Sequence, residues 1–187
     1  LLLARDAIGI LEKYHAALLK SSRGFKLFDA YPNPMPITFG KLQAGNWPAA
    51  APNLATLEGV LGFLPNKTKE EICREMKAAL LEGGLSENDF ELSFMYRHDC
   101  SVMEPEHEFT RMLLRSAAAS GRELKIDGMT ASCDAWFYNN QLRIPTLVFG
   151  AGTLKVAHSV KENIAIADIA QAAETLLSFI AEFSDIS

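Results

Sequence analysis

The chain has 187 residues, 49% of them apolar and 22% charged, a balance that fits a folded globular protein and excludes disorder, collagen-like repeats and low-complexity arrays. Its net charge of −5, from 18 Lys and Arg against 23 Asp and Glu, argues against a nucleic-acid partner, which needs concentrated positive charge. No apolar run reaches the roughly 18–20 residues that span a bilayer, so the expectation is a soluble cytoplasmic protein with no membrane partner, of one large domain or two small ones.

The 3 cysteines, Cys73, Cys100 and Cys133, form no CxxC pair. An odd, unpaired set argues against a disulfide framework and for a reducing compartment. The N-terminus has neither an initiator Met nor the basic region and cleavage site of a signal peptide. Leu1-Leu2-Leu3-Ala4-Arg5-Asp6-Ala7 reads straight into a helix, which suggests a chain that has been cut or lacks its first residues.

The first predicted helix covers Leu3 to Leu19, with Leu3, Ala7, Ile10, Leu11, Tyr14 and Leu18 on one face, and it stops near Gly24. The prolines at 32, 34 and 36 exclude helix, because each removes a donor and pushes its neighbour into an extended conformation. Alternating residues then predict strands from Ile37 to Gln43 and from Asn53 to Leu64. Thr68-Lys69-Glu70-Glu71 has the form of a capping box, and the helix behind it buries Ile72, Met76, Ala79 and Leu80 before Gly83-Gly84 ends it. A third strand is predicted from Phe90 to about Tyr96. Helix, strand, strand, helix, strand is a ferredoxin-like α+β pattern without its opening strand.

Beyond Glu104 the pattern changes. A helix from about Glu106 to Ser120, short strands at Leu124–Ile126 and Ile144–Phe149, a helix start at Ser132-Cys133-Asp134-Ala135, and a last helix from about Ala167 to Phe183 alternate as in an α/β sheet covered by helices. This divides the chain into 1–105 and 106–187.

The stretch Ile144 to Ile164 carries most of the chemistry. A predicted buried strand ends in Gly150-Ala151-Gly152, and the loop behind it presents His158 and then Glu162. Ligands of open α/β sheets sit outside the carboxyl ends of the strands, so His158 is placed to hold a metal; the bland reading is an exposed loop histidine without a role. His15 reads as a solvated helix residue, His98 as a surface hydrogen bond beside Asp99, and His107 as an incidental residue of a first helical turn. None lies in a local ligand pair such as HExxH. The Gly-Ala-Gly run does not open a helix, which excludes a phosphate cradle. Cys133, at a predicted helix N-terminus, is either a nucleophile with a depressed pKa or a small buried residue, and Trp47 is either a packing plug or part of an interface.

GMTASCDAWFYNN, then IPTLVFGAGTLKVAHSVKENI, then a long amphipathic helix, resemble the C-terminal end of the zinc-dependent aminoacylase, acetylornithine deacetylase, succinyl-diaminopimelate desuccinylase and glutamate carboxypeptidase family. ITFGKLQAGNWPAAAPNLATLEGVLGFLPNKTKEEI resembles that family's lid, or dimerisation, domain. In the family an Asp-Ala pair starts a helix, a buried strand reaches a Gly-Pro-Gly type loop, and a His four residues before an acidic residue binds a metal. The matching positions are Asp134-Ala135, Gly150-Ala151-Gly152 with Ala in place of Pro, and His158 with Glu162.

The resemblance implies an α+β ferredoxin-like lid followed by the C-terminal part of an α/β zinc-peptidase-like catalytic domain. It implies an amidohydrolase in which two Zn²⁺ polarise the scissile carbonyl of an N-acyl amino acid or peptide, with a Glu taking the proton of a bridging water. It makes His158 one zinc ligand, lets Gly150 and Gly152 bring backbone N–H groups up to the substrate, and makes the lid a homodimer interface. The family's N-terminal His-x-Asp, bridging Asp and Glu-Glu pair do not occur here, so the chain reads as a C-terminal fragment that alone neither holds zinc tightly nor hydrolyses amides. The reading from a different class is a non-catalytic dimerisation module; an enzyme using Cys133 ranks last.

Overall fold

Spacings of three and four in the first apolar face produce α1 (Leu2–Ser21), which buries Ala4, Leu11, His15 and Leu18. In the computed structural model, residues 1–95 and 98–186 are described. They form two compact units: one is Leu1–Cys100 with Gly128–Ser132, the other Ser101–Asp127 with the chain from Cys133 onward.

In the first unit, β1 (Ile37–Ala44) and β2 (Ala55–Leu61) make an antiparallel pair whose register runs from Ile37 opposite Leu61 to Ala44 opposite Ala55, with an irregularity at Gly40 between Phe39 and Lys41. Gly59 is required by this pairing. A Cβ there would stand 2.5 Å from the Thr38 carbonyl oxygen, a backbone atom that cannot swing aside. The tip of the hairpin leaves Trp47 66% exposed, so it is no packing plug within this chain.

Thr68 caps α2 (Lys69–Glu82) by the expected reciprocal bonds: its Oγ1 accepts from the Glu71 N–H at 3.2 Å, and Glu71 Oε2 accepts from the Thr68 N–H at 2.8 Å. Asp99 Oδ1 accepts the Lys69 N–H at 2.7 Å, placing a second carboxylate at the positive end of the helix. The Thr68 hydrogen bonds hold the Glu71 carboxyl below its ordinary 4.5. A depressed carboxyl pKa contributes stability that is present above the ordinary value and is lost as pH falls through the folded value. Glu71→Gln is therefore expected to destabilise at neutral pH and to lose that difference progressively below pH 4.5, as read by urea melts across the acid range.

The far end of α2 is a Schellman motif. Gly84, at φ 100°, donates to the Leu81 carbonyl, and Leu85 N–H donates to the Leu80 carbonyl, both at 3.1 Å. Leu80 and Leu85 then join Leu11, Leu18, Met35, Leu64, Ile72 and Met76 in one core. At its edge Tyr14 Oη donates to Glu75 Oε2 at 3.0 Å and Lys67 pairs with the other carboxylate oxygen, tying α1 to α2. Burial, and then this carboxylate, push the Tyr14 phenol well above its ordinary range.

Two expectations change in this unit. His15 is buried, not solvated, and its Nε2 sits 2.6 Å from the Met35 carbonyl oxygen. A carbonyl only accepts, so Nε2 carries the proton. Residues 90–94 pair with no strand among the described residues, and Tyr96 lies outside them. Their side chains do alternate, with Phe90, Leu92 and Phe94 packed against the core and Glu91 and Ser93 exposed. The period-2 burial is present and the ladder is not, so the strands among the described residues form a two-stranded sheet, one strand short of the three that the ferredoxin-like reading expects in this unit.

The second unit is built on α3 (Glu108–Ala119) and α4 (Ile166–Ile186). Ser116, Ala117, Ala172 and Thr175 are buried, small side chains that let helices approach closely. Phe109 meets Phe179 edge to face at 5.0 Å between ring centroids. Arg115 joins Glu182 and Glu108 at 2.6 and 2.8 Å. The strands predicted at 124–126 and 144–149 carry no ladder. No helix among the described residues is long and apolar enough to cross a membrane.

Candidate functional site

The route to His158 starts at Asp134, whose carbonyl accepts the Phe137 N–H at 2.9 Å as a short helical segment begins at Ala135. The segment runs into a single π-helical turn, Phe137–Gln141, closed by the Leu142 N–H on the Phe137 carbonyl at 3.1 Å. Such turns are rare and recur at functional sites, and this one contains Asn139. Its Oδ1 accepts the Thr146 N–H and its Nδ2 donates to the Thr146 carbonyl, both at 2.9 Å, while Nδ2 also donates to Ser101 Oγ at 2.8 Å. One amide side chain thus serves both backbone groups of Thr146, as a neighbouring strand would.

This anchoring differs from the expected buried strand. Ile144 and Val148 are exposed, and only Thr146, Leu147 and Phe149 are half-buried. A strand buried on both faces needs neighbours on both edges, and the described residues supply none. Asn139 was not singled out from sequence; the sole signal is an amide residue placed seven positions before a segment that lacks ladder partners.

Gly150, Ala151 and Gly152 follow. Gly152 has φ 79°, a left-handed backbone that calls for glycine, while the Ile164 side chain packs beside it at ordinary contact distance. Gly150 is exposed with open space around it. Tight turns carry the chain onward, with the Ser159 N–H on the Val156 carbonyl at 3.3 Å and the Glu162 N–H on the Ser159 carbonyl at 3.0 Å.

His158 occupies the left-handed region at φ 59°, uncommon for a residue with a side chain and a reason to look for function. Glu162 holds it there, its Oε2 accepting the His158 backbone N–H at 3.0 Å. The spacing of four between His and Glu therefore closes a loop, and Glu162 acts on the backbone of His158. The imidazole itself is exposed and has no hydrogen-bond partner among the described residues.

The remaining candidates are occupied elsewhere. His98 Nδ1 lies 3.1 Å from the Asp99 carbonyl oxygen, to which it donates, leaving Nε2 to accept from the Ser132 hydroxyl at 2.9 Å. His107 is not incidental: it is the N-cap of α3, with Nδ1 accepting the Phe109 N–H at 3.1 Å. Cys100 donates to the Phe63 carbonyl at 3.1 Å, and burial, with Asp99 adding to it, pushes its thiol up to about 11, which keeps it protonated and unreactive. Cys133 is half-buried, and no base among the described residues bonds to it.

No group of three or more His, Cys, Asp or Glu side chains converges on a metal position among the described residues. A catalytic zinc takes three protein ligands. His158 offers one nitrogen donor and Glu162 is committed to the backbone, so these residues do not by themselves fit a complete metal site.

Residues 8–182 match the peptidase family M20/M25/M40. The chain is 28% identical over 185 residues to N-formyl-4-amino-5-aminomethyl-2-methylpyrimidine deformylase of Halalkalibacterium halodurans, covering 90% of this chain and 42% of that protein. The Bacillus subtilis deformylase of the same name is 26% identical over 191 residues, covering 92% and 42%. An uncharacterised metallohydrolase of Methanocaldococcus jannaschii is 29% identical over 76 residues, covering 38% and 22%. The chain thus spans about two-fifths of the length of the deformylases, 42% in each case. Among solved structures, the M20 family metallo-carboxypeptidase Sso-CP2 of Sulfolobus solfataricus matches with a TM-score of 0.59 at 16% identity, over 78% of this chain and 35% of that one, a likeness of fold. With the family model matched over residues 8–182 and the fold likeness beside it, the chain belongs to peptidase family M20/M25/M40.

Proposed function

We propose that this chain is part of a zinc-dependent amidohydrolase, comprising a lid, or dimerisation, domain within 1–105 and the closing part of the catalytic domain within 106–187. The observation that carries the reading is the family match over residues 8–182 taken with an exposed, unpartnered imidazole at His158 on a loop closed by Glu162. In this reading His158 supplies one of the metal ligands and the rest come from polypeptide beyond these residues. Gly150, exposed with open space around it, leaves the backbone open to a substrate carboxyl or carbonyl group, and Gly152 follows it on the same loop.

The outer edges of β1 and β2 carry no partner strand among the described residues, and open edges recruit one. These open edges support a homodimer through this sheet as part of the proposal.

Two relatives are deformylases by name, so a formamide is the first substrate class to assay, with N-acetyl amino acids beside it. The chain alone is expected to retain no stoichiometric zinc on metal analysis and to release no formate. The complete enzyme containing it is expected to do both. Tight zinc in the chain alone would overturn the shared-ligand reading, and a complete enzyme without metal-dependent amide hydrolysis would overturn the function.

A further inference from the structure

The serine hydroxyls of this chain meet two kinds of partner. Ser21, Ser120, Ser159 and Ser184 donate to the backbone carbonyls of Leu18, Ser116, Val156 and Ile180 at 2.7–3.1 Å. A carbonyl oxygen accepts such a bond but does not take the proton away. Ser132 differs, because its Oγ lies 2.9 Å from His98 Nε2, and an imidazole nitrogen is a base.

The pair is 34 residues apart in sequence and is brought together within the first compact unit. His98 is half-buried, and its Nδ1 donates to the Asp99 carbonyl at 3.1 Å. That bond fixes the tautomer in which Nε2 presents a lone pair to the hydroxyl. The backbone behind the ring is itself tied down. Asp99 Oδ1 accepts the Lys69 N–H at 2.7 Å at the start of α2, and Cys100 Sγ donates to the Phe63 carbonyl at 3.1 Å, just beyond β2. Ser132 is exposed, so its oxygen is within reach of a reagent from solvent. Nucleophile, base and orienting group, each within hydrogen-bond distance of the next, form the arrangement that activates a serine.

We propose that Ser132 is a nucleophile activated by His98 and that it accepts the acyl group of an activated ester. Ser132 Oγ attacks the ester carbonyl carbon as its proton passes to His98 Nε2. A bond forms between Oγ and that carbon, the bond from the carbon to the leaving oxygen breaks, and the leaving group departs with the electron pair. The imidazolium then gives its proton to solvent. No metal enters this step, and the proposal does not rest on the zinc-dependent function.

The test is incubation of the chain with p-nitrophenyl acetate in the presence of a chelator, with the acetylated residues located and timed by peptide mass spectrometry. Ser132 is expected to be acetylated at least about tenfold faster than Ser21 or Ser184, exposed serines whose hydroxyls donate to carbonyls. His98→Asn keeps a donor close to the place of Nδ1 and has no counterpart of Nε2. It is expected to slow acetylation of Ser132 at least about tenfold while melting with the parent. Ser132→Ala, at an exposed position, is expected to melt with the parent and to lose the fast phase of p-nitrophenolate release. Acetylation of Ser132 no faster than that of Ser21 in the parent chain would overturn the proposal, as would an unchanged rate in His98→Asn or a fast phase that survives in Ser132→Ala.

Discussion

His158→Asn, made in the complete enzyme, is expected to lower zinc content and to reduce kcat/KM by at least about 100-fold, since removal even of groups that merely support metal ligands costs about 10–100-fold. Asparagine is the informative replacement. His158 stands at φ 59°, a conformation that Asn tolerates and Ala does not, so His158→Asn removes the imidazole without straining the loop. His158→Ala adds a backbone cost of about 1 kcal/mol to the same loss. Glu162→Ala should act differently, because Glu162 reaches the backbone N–H of His158 and not its ring. It is expected to weaken zinc partly, while Glu162→Gln, which keeps an acceptor oxygen, restores most of the affinity. Unchanged metal content and turnover in His158→Asn would remove His158 from the site.

Leu80→Ala is expected to destabilise the first unit by about 2–5 kcal/mol, the cost of a cavity at a buried leucine. Leu80 is 3% exposed, contributes its side chain to the core, and through its carbonyl receives the Leu85 N–H that closes α2. The backbone bond survives the substitution, so the loss measures the side chain. Val60→Ala on the open face of β2, at 72% exposure, is the control and should stay within about 0.5 kcal/mol. Equal effects of the two in urea melts would mean that α2 does not pack on α1 as described.

Local physics made several elements legible in advance. Apolar spacing places α1, α2, α3 and α4 within a few residues of their observed bounds, because an amphipathic helix carries its hydrogen bonds within itself. Thr68 and Glu71 mark a helix start that depends on four consecutive residues, and the bond from the His158 N–H to the Glu162 carboxylate is equally short-range, joining residues four apart.

Tertiary structure decided the rest. The alternation at 90–94 correctly marks which side chains face the core, but a strand exists only where another backbone meets it, and none does among the described residues. His15 stands four residues after Leu11 and three before Leu18, so helical spacing already puts it on the inward face despite its polar side chain; what only the tertiary structure supplies is its hydrogen-bond partner, the Met35 carbonyl twenty residues later. Asn139 and Arg122 are ordinary polar residues in sequence. One becomes the anchor of Thr146, seven residues on, and the other, just past the glycine-ended helix, has its Nη1 buried without a hydrogen-bond partner. Residue type and near-neighbour spacing therefore determined the helices, the cap and the His158 loop, whereas every feature that needs two distant backbones to meet was settled by packing.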